Sequence, residues 1–262
     1  MKICLSNLAW NEDRNDEIYW FMQKIGICGL EMAPTKIFGA NPYEDLSLAK
    51  KYAKEIREDF SIEIMSMQSL WFNRPEKIFV SEAEREILSD YTKKAIIFSE
   101  ALGCKNLVFG CPKNRVIGNK ENLPIAYRFF GELGSFSEKH GVVLSLEANP
   151  AIYGTDFINT TREALDFCKS VGVEGLKVNL DFGTIIYNNE KLDFTEDDIR
   201  WINHLHISEP NLVPIIERSE HIALRDILCR FNYNGAVSIE MGISESNDDI
   251  LDAAVYLKEV FG

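Results

Sequence analysis

The chain has 262 residues, 46% of them hydrophobic, and a formal net charge of −13. A field of that sign repels phosphate backbones, and Lys113 and Arg115 form the only compact basic patch, so nucleic acid is not an expected partner. No uncharged stretch approaches the ~18 residues that a membrane-spanning helix needs. Six cysteines (Cys4, Cys28, Cys104, Cys111, Cys168, Cys229) show neither a C-x-x-C pair nor a disulfide-like rhythm. They read as reduced core thiols of a cytoplasmic protein. Met1-Lys2 runs straight into a strand-like segment, so no signal peptide is expected.

Taken in order, Ile3-Cys4-Leu5 reads as a first strand ending near Ser6 and Asn7. Ile18, Phe21, Met22 and Ile25 then follow a helical period, broken by Gly26 and Gly29 before a short strand ending at Glu31. A helix from about Leu46 to Asp59 leads to a third strand, Ile62 to Met67, ending at Gln68. Ile87, Tyr91, Ala95, Phe98 and Leu102 stripe a long helix stopped by Gly103, and Asn106 to Phe109 is the fourth strand. Ala126, Phe129, Phe130, Leu133 and Phe136 mark the next helix, with His140 at its end. Strand five runs from Val142 to Glu147. Thr161 to Val171 is helical and Leu176 to Leu180 is strand six. A short helix near Thr195 to Ile199 precedes strand seven, Trp201 to Ile207. A helix from Leu224 to Phe231, with His221 capping it or lying at the surface, leads to strand eight, Ala236 to Ile239. Ile250, Ala254, Leu257 and Phe261 stripe the last helix. Eight alternating units without a linker predict one domain over 1–262, a single α/β (β/α)8 barrel of the TIM type. A doubly wound open sheet is the alternative, but no G-x-G-x-x-G follows the first strand.

Four strands end in the same way. Glu147, Asp181, His206 and Glu240 each close an apolar run, and in each an apolar residue separates two polar ones: Ser145 and Glu147, Asn179 and Asp181, His204 and His206, Ser238 and Glu240. Residues i and i+2 share one face of a strand, so with helices outside, these pairs point inward and the four end residues converge. Carboxylates ~4 Å apart repel by roughly 4 kcal/mol at an effective dielectric of 20. Either some are neutral or a metal sits among them. Three oxygen donors and one nitrogen suit Mn²⁺, Mg²⁺, Co²⁺ or Zn²⁺. His204 reads as lying deeper on the same face.

The whole chain resembles the xylose-isomerase-like barrels, a group of sugar isomerases and epimerases that also contains an abasic-site endonuclease. The resemblance rests on S-L-E-A-N-P, V-N-L-D-F-G-T, H-L-H-I-S-E-P and S-I-E-M-G, in that order and spacing. It implies that Glu147, Asp181, His206 and Glu240 bind one divalent metal. It also implies that Glu147 and Glu240, on opposite sides of a sugar, exchange protons with it through an enediolate. Many relatives carry Asp-x-x-His at the sixth strand, where this chain has Asp181-Phe182-Gly183-Thr184. Loss of that histidine counts against a multi-zinc endonuclease.

Expected substrate contacts are Asn7, Trp10, Glu31 and Gln68 after the first three strands, Asn149 and Tyr153 after the fifth, and Glu209 after the seventh. Glu209 is equally suited to a salt bridge with Arg218 or Arg225. Lys113 and Arg115 suit a phosphate or carboxylate, and a solvated surface turn equally. The resulting expectation is a metal-dependent isomerase or epimerase of a sugar or sugar derivative. Its alternatives are a dehydratase of a hydroxylated keto acid and a degenerate barrel that binds sugar without turnover.

Overall fold

Strand β1 (Lys2–Ser6) pairs in parallel with both β2 (Gly29–Met32) and β8 (Ala236–Glu240), which closes the sheet. Between them, in sequence order, stand β3 (Glu63–Met67), β4 (Asn106–Phe109), β5 (Val143–Glu147), β6 (Leu176–Asp181) and β7 (Ile202–Ser208). This computed structural model describes every residue of the chain except Glu245 and Asn247.

The long crossovers are α1 (Asn15–Ile25), α3 (Leu46–Phe60), α4 (Glu82–Leu102), α5 (Leu123–Lys139), α6 (Thr161–Val171), α9 (Ser219–Arg230) and α10 (Asp248–Phe261), with the four-residue α2 (Thr35–Phe38) before α3. Their ends follow from local chemistry. Gly26, Gly103 and Gly172 take left-handed conformations that stop α1, α4 and α6. Thr160 and Glu163 form a capping box that starts α6.

Between β6 and β7 one short helix is expected, and two occur: α7 (Phe182–Asn188) and α8 (Glu196–Trp201). Asp181 caps α7 itself, accepting from Thr184 N at 2.7 Å. Gly183 is required there, because a Cβ would lie 2.6 Å from Ser208 Oγ.

The core lies between strands and helices. Leu30, Leu107, Leu144, Leu180, Leu205 and Val237 are fully buried, as are Ile18, Phe98, Phe130, Leu165 and Leu257 on the helices that cover them. Each such side chain contributes about 1.5–3 kcal/mol by burial. Inside the barrel the period-2 alternation places polar groups instead: Glu31, Ser66, Ser145, Asn179, His204 and His206 are all buried. No helix among the described residues is long and apolar enough to cross a membrane. Cys4, Cys104 and Cys168 are buried free thiols, whereas Cys28 and Cys229 are exposed rather than in the core.

Candidate active site

The parallel register sets Asn179 beside Glu147, His206 beside Asp181, and Ser208 beside Glu240 at one end of the barrel. One donor atom from each of Glu147, Asp181, His206 and Glu240 lies within 4.8 Å of the others. His206 Nδ1 is 3.0 Å from Glu147 Oε1 and 3.1 Å from Glu240 Oε2. The strand-end residues that lie far apart in sequence therefore do share one small volume.

Two of the carboxylates, Glu147 and Asp181, have their own supports. Asn179 Nδ2 donates to Glu147 Oε1 at 2.6 Å, and Asn149 Nδ2 donates to Oε2 at 2.9 Å. Thr184 Oγ1 donates to Asp181 Oδ2 at 2.7 Å, and Ser208 Oγ donates to Oδ1. Thr184, at the position where many relatives carry histidine, thus orients a carboxylate. Gly110, just past β4, leaves the necessary room: a Cβ there would sit 2.8 Å from Glu147 Oε2.

These environments push the groups apart. Burial raises the Glu147 carboxyl, but His206 and the two asparagine amides outweigh it and hold it below its usual value. Burial, with the charges of Glu147 and Asp181 adding to it, pushes Glu240 up to about 7 against the pull of His206. Asp181 is raised by burial and by Glu147. Burial alone would lower His206; the charges of Glu31 and Glu240 and the contacts with Glu147 and Glu240 hold it well above its usual value. Unpaired buried charge is thus compensated by protons, which is one of the two ways such a cluster can persist.

The donors also fit the other way, a divalent cation. His206 Nδ1 is buried and makes no hydrogen bond, although two carboxylates face it. Bonds of about 2.1 Å at right angles separate neighbouring ligand atoms by about 3.0 Å, the spacing found around this nitrogen. Three oxygens and one nitrogen are a hard to borderline donor set.

The remaining expected residues are placed as follows. Asn7 and Gln68 end β1 and β3 with buried amides; Asn7 Oδ1 accepts from Ala33 N at 2.8 Å, and Gln68 Nε2 donates to Ser6 Oγ at 2.5 Å. Trp10 is buried and its indole N–H is taken by Asn15 Oδ1 at 2.8 Å. Tyr153 is half-buried, and its hydroxyl accepts from Asn211 N at 2.9 Å, bridging the loops after β5 and β7. Lys113 is exposed.

Four of the residues, Arg115, Glu209, Glu31 and His221, are buried and engaged within the protein. Arg115 is fully buried, and its guanidinium donates to the carbonyls of Phe157 (2.7 Å) and Glu147 (2.8 Å) and to Asn149 Oδ1 (2.7 Å). It ties the loop after β5 together instead of facing an anion. Glu209 is buried and chelated by Arg218 at 2.8 and 2.6 Å. Glu31 lies beneath His206, sealed from solvent. His221, expected at the surface, is also buried, with Nδ1 2.9 Å from the Tyr256 hydroxyl and its ring on Phe182; burial lowers it to about 4. The supporting Ser66, Asn106 and Ser208 escape sequence reasoning, although the alternation of polar residues in their strands carries the signal.

A closed parallel barrel with a cluster of candidate metal ligands at its strand ends defines the class of this protein. A family model for the xylose isomerase-like TIM barrel matches residues 21–260, and the chain belongs to that family. Among solved structures it is similar to a D-psicose 3-epimerase from Clostridium cellulolyticum H10, studied with D-tagatose: 18% identity, 100% of this chain and 99% of that one, TM-score 0.76. It is also similar to a D-tagatose 3-epimerase-like protein (20%, 99% and 97%, 0.77). A third likeness is to a 3-keto-D-glucoside 4-epimerase from E. coli (17%, 99% and 98%, 0.73). At these identities the likeness establishes the shared fold. The chain matches no curated protein sequence.

Proposed function

We propose that the protein is a metal-dependent isomerase or epimerase of a sugar or sugar derivative, acting by proton transfer beside a carbonyl. The observation that carries this reading is a pair of carboxylates, Glu147 and Glu240, set about one imidazole nitrogen and pushed to opposite sides of their usual value. Family membership supports it, and so do structural neighbours that are themselves sugar epimerases.

Glu147, Asp181, His206 and Glu240 are the residues that hold the cation. When bound, it supplies Lewis-acid stabilisation of negative charge developing on the substrate oxygens. Glu147, kept ionised by the amides of Asn149 and Asn179, is the group that removes the carbon-bound proton. Glu240, on the other side of the same imidazole nitrogen and without such an amide donor among the described residues, is the group that returns a proton from the opposite face. Asp181, fixed by Thr184 and Ser208, takes no part in proton transfer and serves as a ligand. Asn7, Gln68, Asn149 and Tyr153 are the polar groups offered to sugar hydroxyls. Commitment of Arg115 to protein acceptors withdraws its support for an anionic substrate, so an uncharged ketose is the first choice. Turnover of a ketose panel by the metal-loaded protein, compared with Glu147→Gln and Glu240→Gln, tests the proposal. Full activity in both variants would remove them as the proton-transfer pair.

A further inference from the structure

Glu31 carries a fully buried carboxylate against His206, and nothing in the proton-transfer chemistry uses it. It faces two imidazoles. His206 Nε2 lies 3.1 Å from Oε1 and 3.0 Å from Oε2, and His204 Nε2 lies 3.3 Å from Oε1. A third contact fixes the polarity of the network. Asn106 Nδ2 donates to Ser66 Oγ at 2.8 Å, so the Ser66 hydroxyl points its own hydrogen at Glu31 Oε1, 2.6 Å away. Asn106 is held in turn by Ser145 Oγ, which donates to its Oδ1 at 2.5 Å.

An ionised carboxylate only accepts hydrogen bonds. Glu31 therefore requires the hydrogen of His206 on Nε2. In a neutral imidazole the other nitrogen then carries the lone pair, and that nitrogen, Nδ1, is the one buried without a hydrogen bond between Glu147 and Glu240. We infer that Glu31 is a positioning residue: it holds the His206 ring and tautomer so that Nδ1 faces the cation, and Ser66 holds Glu31 in place. The inference rests on the metal reading of the cluster above it. Glu31 then serves neither as a sugar contact nor as a ligand; it acts through His206, whose basicity a carboxylate on the far nitrogen also raises.

The test is titration of the metal-free protein with Mn²⁺, reading the free ion by electron paramagnetic resonance, in the wild type, Glu31→Gln, Glu31→Ala and His206→Asn. Circular dichroism establishes that each variant is folded, and the near-isosteric Glu31→Gln carries the comparison if Glu31→Ala does not fold. One ion per wild-type chain is expected, with Kd raised about 10- to 100-fold in the Glu31 variants. A merely structural role would lower the melting temperature of the metal-free variants and leave Kd unchanged, which would overturn the inference. A second ion per wild-type chain that disappears in Glu31→Gln would also overturn it, by making Glu31 a ligand. If the wild type binds none of Mn²⁺, Mg²⁺, Co²⁺ and Zn²⁺, the metal reading itself fails; normal binding that Glu31 substitutions do not change refutes the positioning role alone.

Discussion

Glu147 Oε1 lies 3.0 Å from His206 Nδ1, although β6 stands between the strands that carry them. The same nitrogen is 3.1 Å from Glu240 Oε2 on the strand beyond. Both carboxylates are thus anchored to one point on the barrel axis. Replacing either by glutamine keeps its volume and removes its ability to exchange a proton. Each variant is predicted to lose about 10²–10⁴-fold in kcat while its circular dichroism spectrum stays that of the wild type. Steady-state kinetics on any accepted ketose measures the loss.

Protonation of the metal-free cluster should make stability depend on pH. Glu240 is raised from 4.5 to about 7, so the stability it contributes is complete below about pH 4.5 and is lost as pH rises through about 7. The full swing is about 3 kcal/mol. His206, held well above its usual value, loses its contribution in the same direction at higher pH. Glu147 and Glu31, held low, act oppositely: their contribution is present above the usual carboxylate range and lost in acid. His221, lowered to about 4 by burial, acts oppositely and adds stability as pH rises from about 4 toward 6.5, so the decline due to Glu240 is read as the difference in melting temperature between metal-free wild type and Glu240→Gln over pH 5 to 7. Glu240→Gln, which imitates the protonated carboxyl, should flatten that decline. Calorimetry on both proteins, stripped of metal, decides; parallel curves would contradict the assignment.

Gly110 is predicted to be required for the position of Glu147. An added methyl would meet Glu147 Oε2 at 2.8 Å and Asn149 Oδ1 at 3.5 Å. Gly110→Ala should leave the chain folded and weaken both metal binding and turnover. Metal titration beside a urea melt separates the two effects.

Arg115 should matter for stability and not for substrate charge. Its guanidinium is buried with carbonyl partners on the loop that follows β5. Removing the guanidinium leaves buried neutral acceptors unpaired, at a cost of roughly 1–3 kcal/mol each. Arg115→Ala is expected to show that loss in urea denaturation, while Lys113→Ala, at an exposed position, should fall within about 0.5 kcal/mol of wild type. A selective loss of anionic over neutral substrates in either variant would restore the anion-binding role.

The strand ends are legible in sequence because alternation is a local property: Ser145 and Glu147, or His204 and His206, announce an inward face without knowledge of the rest of the chain. The closed barrel follows from the repetition of that unit. What lies hidden is decided across the chain. The contact between Glu31 and His206 joins residues 175 apart, and Arg115 is turned inward by carbonyls about forty positions onward. Helix α7 is hidden because the residue that caps it, Asp181, is also the polar end of a strand. His221 reads as a capping or surface residue until Phe182 and Tyr256 enclose it.

The most direct test of the account is deuterium incorporation. The metal-loaded protein is incubated with an accepted ketose in D2O, and the carbon next to the carbonyl is followed by NMR in wild type, Glu147→Gln and Glu240→Gln. The account predicts that the wild-type product carries deuterium at that carbon and that either substitution abolishes the exchange. Product formed with its original hydrogen retained, or exchange that survives both substitutions, would contradict proton transfer between these two glutamates.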